Sequence, residues 1–135
     1  MAPMTDTEIM TTTASVVDAV VDQYLELFTE EDDDVRAEQA HAICVDDVRV
    51  VDPLFEAVGP DRLAAAIGAL QEQMPGHSLA RTTAVDAHHD QARFGWTVTG
   101  PDGAIAITGI DVLSFAPDGR IQLAVGFLGE LTPVS

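Results

Sequence analysis

The sequence predicts an α+β domain in which three N-terminal helices are wrapped by a curved antiparallel sheet that keeps a hydrophobic pocket on its concave side. Three observations carry this. Apolar residues recur at helical spacing only before Gly76. After it, apolar and polar residues alternate with a period of two. The alternating runs are joined by "HHDQ", "GPDG" and "APDGR", in which Asp-Gly and Pro-Asp favour the tight turns of antiparallel hairpins. A chain of 135 residues that is 47% hydrophobic suits one domain with one core.

Residues 1–12 read as a flexible polar leader, 13–131 as the single domain and 132–135 as a tail. The first helix follows from "ASVVDAVVDQYLELF", where Val17, Val20, Val21, Tyr24, Leu27 and Phe28 form one stripe. The acidic run "TEEDDD" ends it and caps a second helix, "VRAEQAHAICV", because carboxylates near a helix N-terminus accept from its free amides. A strand, "DVRVVDP", places Val48, Val50 and Asp52 on one face and stops at Pro53, which forces Asp52 into extended backbone. The third helix spans "GPDRLAAAIGALQEQM", with Pro60 and Asp61 at its start and "PG" after its end.

Four strands follow, at about 78–88, 91–99, 104–116 and 120–129. Phe94, Trp96 and Val98 share a face of the second. Ile105, Ile107, Gly109, Asp111, Leu113 and Phe115 share a face of the third, and Ile121, Leu123, Val125 and Phe127 a face of the fourth. The sheet therefore has one strongly apolar side.

Two carboxylates interrupt that side. Asp52 follows Val48 and Val50, and Asp111 sits in mid-strand between Ile107 and Leu113, where Asp is disfavoured. An ionised carboxylate in apolar surroundings must be paired, neutralised or used. The plainer reading of Asp52 is a turn residue binding backbone amides beside Pro53. Tyr24, the one tyrosine of the chain, lies on the inner stripe of the first helix. By itself it would be a core aromatic whose hydroxyl finds an edge partner.

At these residues the chain resembles the NTF2-like superfamily, which contains the bacterial ketosteroid isomerases and the SnoaL-like polyketide cyclases. The resemblance covers about residues 13–130 and is carried by "VVDQYLELF", "VRVVDPLFEAVGPDRL", "ITGIDVLSF" and "VGFLGE". It implies a cone-shaped fold and a cofactor-independent acid/base enzyme that shifts a double bond or cyclises an apolar carbonyl compound, of steroid or polyketide type, through an enolate. Tyr24 is then the oxyanion donor, Asp52 the proton-shuttling base and Asp111 a protonated second donor, since an Asp in an apolar site stays neutral and can donate. The pocket is expected to be lined by Phe28, Val50, Phe55, Leu63, Phe94, Trp96, Ile107, Leu113 and Phe127. The resemblance also implies a homodimer. It departs from the isomerases in the acidic insert between Tyr24 and Asp52. The stretches "MPGHSLARTTAVDAHHDQARFGWTV" and "APDGRIQLAVGFLG" are closer to the SnoaL-like group.

Two alternatives stay open. An epoxide hydrolase or epoxide-opening cyclase needs the same two carboxylates. A non-catalytic binding or dimerisation domain needs neither, since fold does not fix function.

The remaining residues narrow the field. The 23 acidic and 6 basic residues, all six of them Arg, give a net charge of −17, which disfavours nucleic acid and anionic membranes as partners. Cys44 is the single cysteine; together with an N-terminus lacking a positive start and apolar run, it fits a cytoplasmic protein. No phosphate loop, serine elbow or dinucleotide fingerprint is present. His88, His89 and Asp90 fall at a hairpin turn, without zinc-type spacing, so no metal is expected. His77, after "PG", is a further candidate acid/base at the pocket.

Overall fold

Helix α1 (Asp6–Leu27) opens the fold in the computed structural model, which describes the backbone of residues 6–134 and, from Val16 onward, their side chains. The helix begins inside the stretch expected to be a leader: Asp6–Thr12 belong to α1, and residues 1–5 lie outside the described residues. The predicted stripe is the buried one, with Val21, Tyr24 and Leu27 almost wholly enclosed.

Helix α2 (Asp33–Ile43) is capped as its sequence requires. Asp32 is extended, and its Oδ1 accepts from the Val35 amide at 3.0 Å, a cap whose loss typically costs about 1 kcal/mol. Strands β1 (Cys44–Val51) and β2 (Glu56–Val58) form a hairpin around "DPLF"; β2 is too short to show any alternation in the sequence. Helix α3 (Pro60–Gln73) starts at Pro60, as read.

The segment expected to be one strand at 78–88 is two, β3 (Ser78–Arg81) and β4 (Asp86–His88). The break has a local cause. Thr83 Oγ1 takes the Gly95 amide at 2.8 Å, so a side chain replaces the backbone there. Strands β5 (Gln91–Thr99), β6 (Ile105–Phe115) and β7 (Ile121–Leu128) complete a seven-stranded sheet in the order β2-β1-β7-β6-β5-β3, with β4 also on β5.

The sheet is curved and unclosed, and it is mixed rather than antiparallel, because β1 runs parallel to β7. The chain reaches β7 from β1 by way of α3 and the hairpins, so a crossover and not a turn sets the relative direction. The inner face, with Val48, Val50, Phe94, Leu113 and Ala124, packs with Val21, Leu27, Leu63 and Ile67 of the helices into one core. Among the described residues no helix is long and apolar enough to cross a membrane.

Two face assignments are overturned. Ile105, expected inward with Ile107, is 67% exposed because Ala106 is an extra residue between the pairs Val98–Ile107 and Thr99–Ile105. The end of β7 is turned over as well. Phe127 points outward and is 62% exposed. Gln122 is an extra residue in β7: Phe115 pairs with Ile121 but Ser114 with Leu123. This bulge reverses the alternation, so that Ala124, Gly126 and Leu128 face inward after Ile121.

A buried cation joins the helices. Arg36, 1% exposed, donates through Nε and Nη2 to the Glu30 carbonyl at 2.9 and 2.7 Å, through Nη1 to Asp33 Oδ1 at 2.8 Å, and through Nη2 to Gln71 Oε1 at 2.8 Å. Gln71 Nε2 in turn donates to the carbonyls of Phe28 and Glu30. The end of α1, with Phe28, is thereby fixed against α2 and α3.

Candidate active site

The end of β1 and the middle of β6 bring the two inward acids to one place. In register, Val51 lies beside Val125 and Asp111 beside Gly126, so Asp52, Gly126 and Asp111 form a row across β1, β7 and β6. Gly126 is small for a reason. A Cβ built on it would stand 2.7 Å from Asp111 Oδ1 and 2.9 Å from Asp52 Cβ. The Asp111 carboxyl leans over this glycine toward Asp52.

Both acids line a small cleft that opens to solvent. Its other walls are apolar: Leu25 and Phe28 from α1, Leu54 from the β1–β2 turn, Leu70 and Met74 from α3 and its C-cap, Leu79 from β3, and Trp96, Val98 and Ile107 from the sheet. Among the described residues no cationic side chain lines it. An adjoining depression shares Phe28, Leu70, Met74, Leu79 and Val98, and adds His77. His77 thus stands beside the cleft rather than among its walls, with Nδ1 3.0 Å from the Pro75 carbonyl oxygen.

Of the expected lining, Phe28, Trp96 and Ile107 are present. Val50, Leu63, Phe94 and Leu113 are instead core residues, each at most 2% exposed. They share a face with the cleft, but at the level where the helices already cover the sheet. Phe55 is half-buried against the core, its backbone closing the turn, and Phe127 is on the outer face.

Asp52 holds its own turn. Its Oδ1 accepts from the amides of Leu54, at 2.7 Å, and Phe55, at 3.0 Å, while its amide donates to the Phe55 carbonyl. Asp52 thus closes its turn through backbone amides and also lines the cleft. Among the described residues Oδ2 has no protein donor.

Asp111 is 8% exposed, and its Oδ1 accepts from the indole Nε1 of Trp96 at 2.9 Å. Burial pushes its carboxyl up to about 6, the Trp96 hydrogen bond pulls it down and the charge of Asp52 adds to the rise. Tyr24 stands behind the cleft wall and not in it. It is 2% exposed, its ring meets Phe28 edge-on at 5.4 Å between centroids, and it is hydrogen-bonded to neither acid. Burial, then Asp111 and Asp52, hold its phenol well above the usual range, so it keeps its proton.

Sequence reasoning missed the Trp96–Asp111 bond, the opening role of Gly126 and the walls Leu25, Leu54, Leu70, Met74, Leu79 and Val98. The signal available was Gly109, which interrupts an inward apolar position two residues from Asp111; Gly126 reads as outward by alternation and turns inward only through the bulge at Gln122. Cys44 is buried, with burial raising its thiol to about 12, whereas His41 faces out to Asp61 at 2.8 Å.

Comparison with known proteins agrees with this architecture. The family model described as a SnoaL-like domain matches residues 21–124. A SnoaL-like family protein from Agrobacterium tumefaciens, provisionally named an isomerase, has a crystal structure that superposes with a TM-score of 0.82 at 32% identity, over 86% of this chain and 99% of that one. A protein provisionally named a SnoaL-like polyketide cyclase, from Jannaschia sp. CCS1, gives 0.63 at 18% identity over 81% and 84% of the two chains. An NTF2-like protein of unknown function from Exiguobacterium sp. 255-15 gives 0.65 at 17% over 83% and 99%; the last two likenesses bear on fold alone. No curated protein sequence matches the chain. The family match over most of the chain, on an NTF2-like α+β cone with an acid-bearing cleft, makes this protein a member of the SnoaL-like family.

Proposed function

We propose that the protein is a cofactor-independent acid/base enzyme that isomerises or cyclises an uncharged, apolar carbonyl compound through an enol or enolate. The observation that carries this reading is the pairing of Asp52 and Asp111 over Gly126 in a cleft whose other walls are apolar. Two carboxylates in different surroundings can take opposite protonation states and so serve as base and acid together.

Asp52, at the half-exposed strand end, takes the proton α to the carbonyl. Asp111 supplies a proton or a hydrogen bond to the carbonyl oxygen as charge develops there. The carbonyl is the electron sink; as the enol collapses Asp52 returns its proton to a different carbon and Asp111 regains its own from the oxygen, so the isomerisation balances without a redox partner. In the free protein at pH 7 a carboxyl titrating at about 6 is protonated in about one molecule in ten. An apolar substrate that displaces water from the cleft raises this fraction, because desolvation disfavours the charged form. Tyr24, outside the cleft lining and bonded to neither acid, carries no proton transfer in this scheme and stays a neutral phenol.

The cleft also selects against charge. Among the described residues the cleft has two carboxylates and no cation, which repel a substrate bearing a carboxylate or phosphate and favour an uncharged one; that it is a ketone of steroid or polyketide type is what the family resemblance implies.

A panel containing a steroidal β,γ-enone, a cyclisable polyketide ester and an apolar epoxide tests the reading. Turnover of a carbonyl substrate, lost in Asp52→Asn and in Asp111→Asn, supports it. Turnover of the epoxide alone moves the assignment to epoxide opening, and full activity of both variants overturns it.

A further inference from the structure

Trp96 is the single tryptophan of the chain, and its ring lies against bare backbone. It pairs across the strands with Gly109. A Cβ on Gly109 would come within 2.4 Å of Trp96 Cζ2, 2.8 Å of Cε2 and 2.7 Å of the Phe127 carbonyl oxygen, so any other residue would push the indole off β6. With the ring flat on this glycine, Nε1 reaches Asp111, two residues along the same face of β6, at 2.9 Å. The Trp96 and Asp111 side chains are both buried, which makes an unpaired indole N–H costly and the contact persistent.

We propose that Trp96 is a positioning residue for Asp111: its N–H, which can only donate, occupies Oδ1 and leaves Oδ2 as the oxygen that carries the proton, and Gly109 is the position that makes this arrangement possible. The inference rests on Asp111 as the acid of the proposed reaction, and it adds which oxygen acts and what orients it. A protonated carboxyl free to rotate could place its hydrogen on either oxygen. The indole removes one of the two choices before substrate binds, which is the preorganisation an acid in a low-dielectric site requires. Gly126 completes the seat, as the Asp111 carboxyl lies over it.

Few other ionisable groups face this pair. Asp52 approaches from β1 and Tyr24 from α1. Arg81, the β3 partner of Trp96, is held by Asp22 at 3.0 Å. The α3 side contributes Leu70 and Met74, and His77 lies in the adjoining depression.

Tryptophan emission reads the contact directly and without substrate. In the full chain, emission between pH 4 and 8 should follow one main transition near pH 6, absent in Asp111→Asn. In Gly109→Ala, checked for native circular dichroism, the transition should be lost or move upward, because the carboxylate loses a donor. If Gly109→Ala does not fold, Trp96→Phe takes its place, read by the ¹³C shift of the Asp111 carboxyl, with the midpoint raised by about half a unit or more. A folded variant of either kind with an unchanged Asp111 midpoint overturns the proposal, as does wild-type emission that is flat across this range. Absence of turnover on every carbonyl substrate, with the emission results as expected, would remove the reaction while leaving the contact; the two failures are distinguishable.

Discussion

The indole Nε1 of Trp96 and the carboxylate Oδ1 of Asp111 are hydrogen-bonded at 2.9 Å across β5 and β6, at the buried floor of the cleft. One donor does not offset the burial of a charge, and the carboxyl titrates at about 6 rather than near 3.8. The acid is held in a state the fold does not favour.

That state has a stability consequence. Because the native carboxyl binds its proton more tightly than the unfolded one, its contribution is fully favourable below about pH 4 and is lost as pH rises through about 6. The loss amounts to about 3 kcal/mol at most. Asp111→Asn should therefore be more stable than wild type at pH 7.5 by up to that amount, and about equal to it near pH 3.5. Urea unfolding at the two pH values checks this.

Gly126→Ala should abolish turnover more completely than it unfolds the protein. Its methyl group would occupy the space of Asp111 Oδ1 and press on Asp52 Cβ, so both acids must move. Overpacking of this kind costs about 1–3 kcal/mol in stability, whereas separating acid from base should lower kcat by 100-fold or more, since each such group contributes about 10²–10⁴. Steady-state kinetics beside a thermal melt separates the two effects.

Arg36→Met should destabilise the fold by about 3 kcal/mol or more, as it strips donors from the Glu30 carbonyl and Gln71 in a buried network. Arg36→Lys should recover little, because one ammonium cannot reproduce a planar fork. Chemical denaturation of both variants tests this. Substrate affinity in the folded fraction should weaken with Phe28 released.

The outward side of the sheet carries its own expectation. Ile110 pairs with Phe127 and Val112 with Val125, and the first two are 49% and 62% exposed. We predict that this apolar stripe is covered by a second copy of the chain, in the homodimer that the family resemblance implies. Sedimentation should give a dimer for wild type and a monomer for Phe127→Glu.

The sequence made the helices legible because their signals are local. Pro60 and Asp61 mark the start of α3 and Asp32 caps α2, needing no knowledge of the rest of the chain. The inward direction of Asp52 and Asp111 was legible for the same reason, since alternation assigns a face. Alternation does not give height along a strand, which is why Val50, Phe94 and Leu113 were expected at the cleft and lie in the core. It also fails after a bulge, and one residue, Gln122, turned Phe127 outward. The donor on Asp111 was not legible because the Trp96 ring is placed by the empty space above Gly109, a property of two strands together.

The central claim is that Asp52 and Asp111 together move protons on a bound carbonyl compound, and proton exchange tests it most directly. NMR in D₂O should show wild type catalysing deuterium incorporation at the α-carbon of an apolar ketone, at a rate reduced 100-fold or more in Asp52→Asn and Asp111→Asn. With Asp111 as the acid, kcat/KM for that exchange should fall as pH rises through about 6, since this parameter reports the free protein. Exchange that is equally fast in wild type and both variants, or a rate that climbs through pH 6 instead, would contradict the account.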